Sequence, residues 1–377
     1  MNICFVVANF WPGWGGTERQ CQLLARTLTQ RGHGVVVLTR RQQGLRADDW
    51  VDGVAVRRTA VLGGGTLRSL AWMLTATAWL RRHGRQFQVV QCYQLLSPSY
   101  VGLLGRRTRP QATILRAECS GSYGDVAEMT RLPLTGLRRR LLRHADALVT
   151  ISQAIEVELA EFGLDSVPFH RIPNGVDCSA FSPVRGEERA ALRSHLGLPE
   201  DRVLCAFVGR LVPQKDPDLL AEAWLRVSHP GAHLMLVGDG PLRPKLEARL
   251  TVGGRRRVTF VGATSNVASY MRASDLVILP SQAEGMPCVV LEAMACGIPV
   301  VATDVPGNRE VLGEEGRVGL LVPGGDPSAL AEAVVTLATS SALRQKIGVS
   351  ARAVILERFD IQRVATQYLS LYSSFLS

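Results

Sequence analysis

Apolar residues along the chain gather into short continuous runs, and helical patterns fill the stretches between them. In the first half the runs are residues 1–8, 35–38, 54–56, 88–91, 113–115 and 147–151. In the second half they are residues 203–208, 233–237, 258–261, 276–279, 299–301 and 319–322. Brief apolar runs closed by polar residues suit parallel strands buried on both faces. Alternation of such runs with helical patterns predicts an α/β protein of doubly wound parallel sheets. A helix is predicted from Gly16-Thr-Glu18 to Gln30, stopped by Gly32. Asp48 and Asp49 fall in a polar stretch read as loop. The turn cluster Ile172-Pro-Asn-Gly-Val-Asp177 suits a linker. It divides the chain into a Rossmann-like domain over 1–175 and a second over 176–358, with a terminal helix over 359–377.

Length and composition fit that division. A chain of 377 residues, 46% hydrophobic and with 36 glycines, can bury two cores and is too apolar for extended disorder. The most apolar long segment, residues 71–80, is shorter than the roughly 20 residues that span a bilayer. The start of the chain carries neither a basic leader nor a small-residue cleavage site, which predicts a cytoplasmic protein. Eight cysteines, at 4, 21, 92, 119, 178, 205, 288 and 296, show no Cys-x-x-Cys spacing and are read as buried reduced thiols.

Charge separates the halves. Residues 1–177 hold 22 arginines against 13 acidic residues, a net of +9, whereas the remainder is nearly balanced. A basic half implies an anionic partner: nucleic acid, acidic glycan or membrane surface. Arg131-Leu-Pro-Leu-Thr-Gly-Leu-Arg138-Arg-Arg-Leu-Leu-Arg143 reads as a basic amphipathic helix suited to an anionic bilayer, or as an ordinary helix with solvated arginines. Arg81, Arg82, Arg85, Arg106, Arg107 and Arg109 add to the same half. No nucleic-acid module is recognisable, and an aromatic content of 6% offers few stacking platforms, so nucleic acid is set aside.

The chemistry concentrates in Glu284-Gly-Met-Pro-Cys-Val-Val-Leu-Glu292, which follows a predicted strand and opens a predicted helix with Pro287 at its first position. Ligands in open α/β sheets bind at the carboxyl ends of strands, and a helix N-terminus favours phosphate. A carboxylate beside such a site suits a ligand that offers hydroxyls, as a sugar does. Gly209-Arg210-Leu-Val-Pro-Gln-Lys215 places two cations at another strand's carboxyl end, which suits a diphosphate. Phe10-Trp-Pro-Gly13-Trp-Gly15-Gly16-Thr-Glu18 joins the first strand to the first helix. It lacks both the G-x-G-x-x-G and the P-loop pattern, which disfavours ATP hydrolysis. Gly238-Asp239-Gly240-Pro241 is a further strand-to-helix turn that a helix cap explains equally well. No convincing Asp-x-Asp metal motif appears.

The block Pro280-Ser-x-x-Glu284-Gly-Met-Pro, with Glu292-Ala-Met-Ala-Cys-Gly-x-Pro-Val-Val, resembles the E-x7-E signature of retaining, nucleotide-sugar-dependent glycosyltransferases of family four. Their architecture, GT-B, is two facing Rossmann-like domains with a last helix returning to the N-terminal one. The resemblance covers nearly the whole chain and is strongest from Asn174 to Leu321. It implies transfer from a UDP- or GDP-sugar to a hydroxyl acceptor with retention, in cell-envelope, exopolysaccharide or glycolipid synthesis, without a metal or other cofactor. Arg210 and Lys215 would neutralise the diphosphate, and Glu284 would face the sugar with Gly285, Met286 and Pro287 lining the pocket. Glu292 would receive ribose hydroxyls, Gly262 and Val267 would flank the base, and Gly15 and Gly16 would close on the donor. The resemblance further implies a glycan or lipid-linked acceptor and, with it, peripheral attachment to the inner membrane face. Many relatives carry a histidine in the N-terminal domain where this chain reads Gln91-Cys-Tyr-Gln94 and Arg116-Ala-Glu118-Cys-Ser-Gly121, so Arg116 and Glu118 are the acceptor-side candidates. Some relatives without it have a Gly-x-x-Gly-Asp stretch like Gly121-Ser-Tyr-Gly-Asp125. A non-catalytic glycan-binding protein and an epimerase or phosphorylase on the same fold are the alternatives.

Overall fold

The computed structural model describes residues 1–13, 15–61, 63–106, 111–251 and 257–376. Arg107 and Arg109 of the basic half lie outside them. The chain divides into two compact units, one of residues 1–175 with the segment from Ile361 onward, the other Val176–Asp360.

Unit 1 is an eight-stranded sheet in the order β3-β4-β2-β1-β5-β6-β7-β8. Its strands are β1 (Asn2–Val6), β2 (Gly34–Arg40), β3 (Asp48–Val51), β4 (Val54–Thr59), β5 (Val89–Tyr93), β6 (Ala112–Arg116), β7 (Ala147–Thr150) and β8 (Phe169–Arg171). All pairings are parallel except β3 with β4. The helices are α1 (Gly16–Gln30), α2 (Gly65–His83), α3 (Ser97–Gly105), α4 (Asp125–Thr130), α5 (Thr135–Leu142) and α6 (Gln153–Leu159). Strand residues of β1, β2, β5 and β7 share one core with Cys21, Leu24, Ala25 and Leu28 of α1.

Unit 2 is a six-stranded, all-parallel sheet in the order β11-β10-β9-β12-β13-β14. Its strands are β9 (Val203–Val208), β10 (Ala232–Val237), β11 (Val258–Gly262), β12 (Leu276–Leu279), β13 (Val300–Thr303) and β14 (Leu320–Val322). Its helices are α7 (Gly186–His195), α8 (Pro217–Arg226), α9 (Arg243–Thr251), α10 (Val267–Ala273), α11 (Cys288–Ala295), α12 (Pro306–Leu312), α13 (Pro327–Thr339) and α14 (Ser341–Val354). The last helix, α15 (Ile361–Ser373), belongs to unit 1, where Val364, Ala365, Tyr368, Leu371 and Tyr372 complete the core beside α1.

Two readings from the sequence are corrected here. Asp48 and Asp49 are not in a loop but in β3, an antiparallel edge strand, where Asp49 pairs with the buried Arg58 at 2.8 Å and Asp48 with Arg57. The opposed charges replace the apolar run that marks an inner strand. The Arg131–Arg143 stretch is not one helix. Leu134 adopts a left-handed conformation (φ +62°), and only Thr135–Leu142 is helical. Within it Leu142 is buried, Leu137 is exposed, and Arg138 stacks on Tyr100 with its guanidinium carbon 5.5 Å from the ring centre.

Candidate active site

The chain runs outward from β9 to β10 and β11, then returns to the other side of β9 with β12. The carboxyl ends of β9 and β12 therefore flank a topological switch point, where a crevice opens above an α/β sheet. The loops that leave these two strands carry Lys215 and Glu284. Pro213–Lys215 forms a single helical turn, after which Asp216 (φ +45°) caps α8 by accepting from the Leu219 amide at 3.1 Å. The loops are tied to each other through one backbone bond and two glutamine side chains. Gln282 N–H donates to the Gln214 carbonyl at 2.9 Å, Gln214 Nε2 donates to the Ala283 carbonyl at 3.0 Å, and Gln282 Nε2 donates to Asp216 Oδ2 at 3.0 Å. Within this frame Lys215 Nζ is ion-paired to Glu284 Oε1. Glu284 is 6% exposed, so this carboxylate has been taken out of water and depends on its lysine. Arg210, on the same loop as Lys215, is exposed, and its guanidinium makes no ion pair among the described residues.

Helix α11 begins one residue later than the sequence suggests. Pro287 is not the first helical residue but the N-cap, because its ψ of 116° is extended while its carbonyl already accepts from Val290 at 3.1 Å. Glu292 is the fifth helical residue and buried, and Gly297 (φ +69°) ends the helix with its amide on the Met294 carbonyl at 2.9 Å. Gly285, Met286 and Pro287 are buried at the helix mouth. Gly262 closes β11 with φ +84°, and Val267, nearly buried, opens α10.

Other residues that shape this crevice carried no chemical signal in the sequence. A Cβ on Gly307 would lie 2.4 Å from the Glu284 carbonyl and 2.7 Å from that of Gly285, so the start of α12 presses directly on the loop. Asn308, fully buried, donates to the Thr303 carbonyl at 2.7 Å, and the Thr303 hydroxyl donates to the Ser281 carbonyl. The Gly238-Asp-Gly240 turn is more than a cap. Cβ atoms there would meet the carbonyls of Gly209 at 1.9 Å and Leu211 at 2.5 Å, on either side of Arg210. Only the contact between backbones explains both glycines, and a single sequence shows no trace of it.

Unit 1 has its own switch point, between β1 and β5. The loop after β1 leads into α1 through Gly15, whose Cβ position is filled by the Glu18 carboxylate at 1.8 Å. Nearby, Arg116 at the end of β6 is 1% exposed, pairs with Glu118 at 2.5 Å, bonds to Asn174 Oδ1, and lies over the Tyr93 ring at 5.2 Å. Burial pushes the Glu118 carboxyl up to about 7, with Arg116 pulling the other way, Asp125 adding to the rise, the Thr17 hydroxyl lowering it and Glu18 raising it. Asp125, buried, accepts from the amides of Leu95 (3.0 Å), Glu118 (2.8 Å) and Cys119 (3.2 Å), so it ties the loops after β5 and β6 together. Burial raises its carboxyl while those three amides lower it. Among the described residues no group of three or more His, Cys, Asp or Glu side chains could hold a metal ion.

A family model described as "Glycosyltransferase Family 4" matches residues 14–180, and one described as "Glycosyl transferases group 1" matches residues 202–340. A D-inositol 3-phosphate glycosyltransferase of Kineococcus radiotolerans is 31% identical over 382 residues, covering 89% of this chain and 85% of that protein. This chain belongs to glycosyltransferase family 4. Its fold is GT-B. Sucrose-phosphate synthase of Thermosynechococcus elongatus superposes with a TM-score of 0.83 at 24% identity, over 100% of this chain and 99% of that one. Anabaena HepE in complex with UDP and glucose superposes with a TM-score of 0.81 at 22% identity, over 99% and 100%. In this family 4 glycosyltransferase, then, Lys215, Arg210, Glu284 and Glu292 all belong to unit 2, while Arg116, Glu118, Gly15 and Gly16 belong to unit 1.

Proposed function

We propose that this glycosyltransferase moves a sugar from a nucleoside diphosphate sugar, with UDP favoured over GDP, to a hydroxyl of a glycan or lipid-linked acceptor, with retention of anomeric configuration. The observation that carries the reading is the Lys215–Glu284 pair on two cross-tied loops at the switch point, with Arg210 exposed on the same loop as Lys215. The bond between the anomeric carbon and the β-phosphate oxygen breaks with its electrons leaving on the phosphate. Arg210 and Lys215 compensate that charge, a task that otherwise falls to a metal. The acceptor oxygen bonds to the anomeric carbon, and its proton passes to the departing phosphate. Glu284 accepts hydrogen bonds from sugar hydroxyls, Glu292 from the ribose, and Gly262 and Val267 flank the base. Gly285, Met286 and Pro287 line the sugar pocket, and Gly15 and Gly16 offer backbone to the donor. Arg116 and Glu118 serve the acceptor. UDP is favoured because HepE, a neighbour in fold, was crystallised with it. The setting we propose is envelope or exported polysaccharide or glycolipid synthesis at the inner membrane face.

Thermal shifts with UDP, GDP, ADP and CMP, with the Glu292→Ala protein as control, test the donor. Stabilisation by UDP alone that disappears in the variant supports the reading, and the absence of a shift with every nucleotide overturns it. Incubation of the matching nucleotide sugar with and without acceptor then separates transfer from epimerisation.

A further inference from the structure

Helix α2 is apolar on two opposite sides. Trp72, Ala76 and Leu80 face inward and are fully buried, which accounts for one side. On the other, Leu67, Leu70 and Leu74 are 69%, 49% and 73% exposed at i, i+3 and i+7 spacing, and Leu104 of α3 adds a fourth exposed leucine. Leu70, Leu74 and Leu104, with Met73, Thr77 and Ala78, border a surface groove of about 870 Å³. A helix apolar on both sides is expected inside a large core or a membrane, not with one side in water. No helix among the described residues is long and apolar enough to cross a bilayer, α2 included.

The charge around the groove selects what covers it. From Gly53 to Ala117 the sequence contains ten arginines and no aspartate or glutamate. Arg68, Arg81, Arg82 and Arg85 are exposed on α2 or in the turn that follows it, and Arg81 and Arg82 border the groove itself. A second copy of the chain docked through the same face would set these arginines against their own copies with no carboxylate between them. An anionic bilayer offers both a negative surface and an apolar layer directly beneath it.

We infer that the outer face of α2, with Leu104, is a membrane-docking surface. In this arrangement Leu67, Leu70 and Leu74 enter the acyl boundary of an anionic bilayer while Arg68, Arg82 and Arg85 lie among its headgroups. This deepens the proposed setting by naming the surface and its partner, and it moves the contact from the arginine cluster of α5, whose side chains bond to Tyr100 and to the carbonyls of Pro133, Phe162 and Gly163, to α2.

The test is flotation of the full chain with vesicles of phosphatidylcholine alone and of phosphatidylcholine with about one-third phosphatidylglycerol, at low and high salt. Wild type floats with the anionic vesicles and is released by salt. Leu70→Glu/Leu74→Glu lowers the bound-to-free ratio about tenfold or more, and Arg82→Gln/Arg85→Gln lowers it by a similar factor on anionic vesicles, at roughly a fivefold loss per arginine. Circular dichroism and a ligand-free melt confirm that each variant is folded. The UDP shift is recorded separately, so that failure of the donor reading and failure of docking are distinguishable. Unchanged flotation of the leucine variant, equal binding of wild type to neutral vesicles, or a wild-type dimer that the leucine variant converts to monomer would each overturn the inference.

Discussion

Lys215 and Glu284 depend on each other. Removing the lysine leaves a carboxylate that is 6% exposed without its cation, which costs about 3 kcal/mol at sites of this kind. Lys215→Ala is therefore expected to lower the melting temperature, and Lys215→Ala/Glu284→Gln to recover most of the loss. Turnover should stay down about 10²–10³-fold in both, because charge compensation and the sugar contact are still missing. A double variant no more stable than the single one would show that the pair is not coupled. Glu118 offers a second test through pH. Its folded carboxyl sits at about 7, above the 4.5 of a free glutamate, so the folded state holds that proton more tightly than the unfolded chain. Stability is accordingly lost as pH rises between about 4.5 and about 7. At roughly 1.4 kcal/mol per pKa unit, the effect is on the order of 3 kcal/mol. Melts of Glu118→Gln against wild type should show the difference moving in favour of the variant from pH 5 to pH 8, and a flat difference would reject the assignment.

At the scale of elements, the inner strands were legible because parallel strands buried on both faces are written as unbroken apolar runs. β9 and β10 emerge nearly to the residue. β3 and β8 were not legible. β3 is a half-exposed edge whose Asp48 and Asp49 are ion-paired to arginines of β4, and β8 has only three residues. The site shows the same split. Its charged members stood out from spacing and resemblance, whereas Gly307, Asn308 and Thr303 act by packing on or bonding to backbone carbonyls, which their residue types do not announce. The Gly238-Asp-Gly240 turn makes this testable. Gly240→Ala places a methyl 2.5 Å from the Leu211 carbonyl, and Gly238→Ala one 1.9 Å from that of Gly209. Each should cost several degrees of melting temperature and weaken nucleotide binding more than tenfold by displacing the Arg210 loop, measured by calorimetric titration with UDP. Retention of full affinity would mean that the loop yields freely.

For the whole molecule, two separate cores predict two melting transitions. Calorimetry should resolve them, and UDP should raise chiefly the one belonging to unit 2, where Arg210, Lys215, Gly262, Val267 and Glu292 lie. Truncation after Asp360 should abolish the transition of unit 1, because Val364, Ala365, Tyr368, Leu371 and Tyr372 of α15 fill its core. Survival of both transitions in the truncated chain would show that α15 is dispensable. The halves also differ in how much of their chemistry the sequence disclosed. Unit 2 carries the denser motifs, while the surface of α2 is visible only once its inner and outer sides can be told apart.

The return of α15 also sets a timetable for synthesis. A ribosome completes every residue of unit 2 before it makes the helix that closes unit 1, although unit 1 is begun first. Domains generally fold as units while the chain is still emerging. Here the earlier one stays open along Leu24 and Leu28 of α1 until Ile361–Ser373 has been made. A stop codon just after Asp360 would thus leave a finished unit 2 attached to a unit 1 that is exposed to chaperones and proteases.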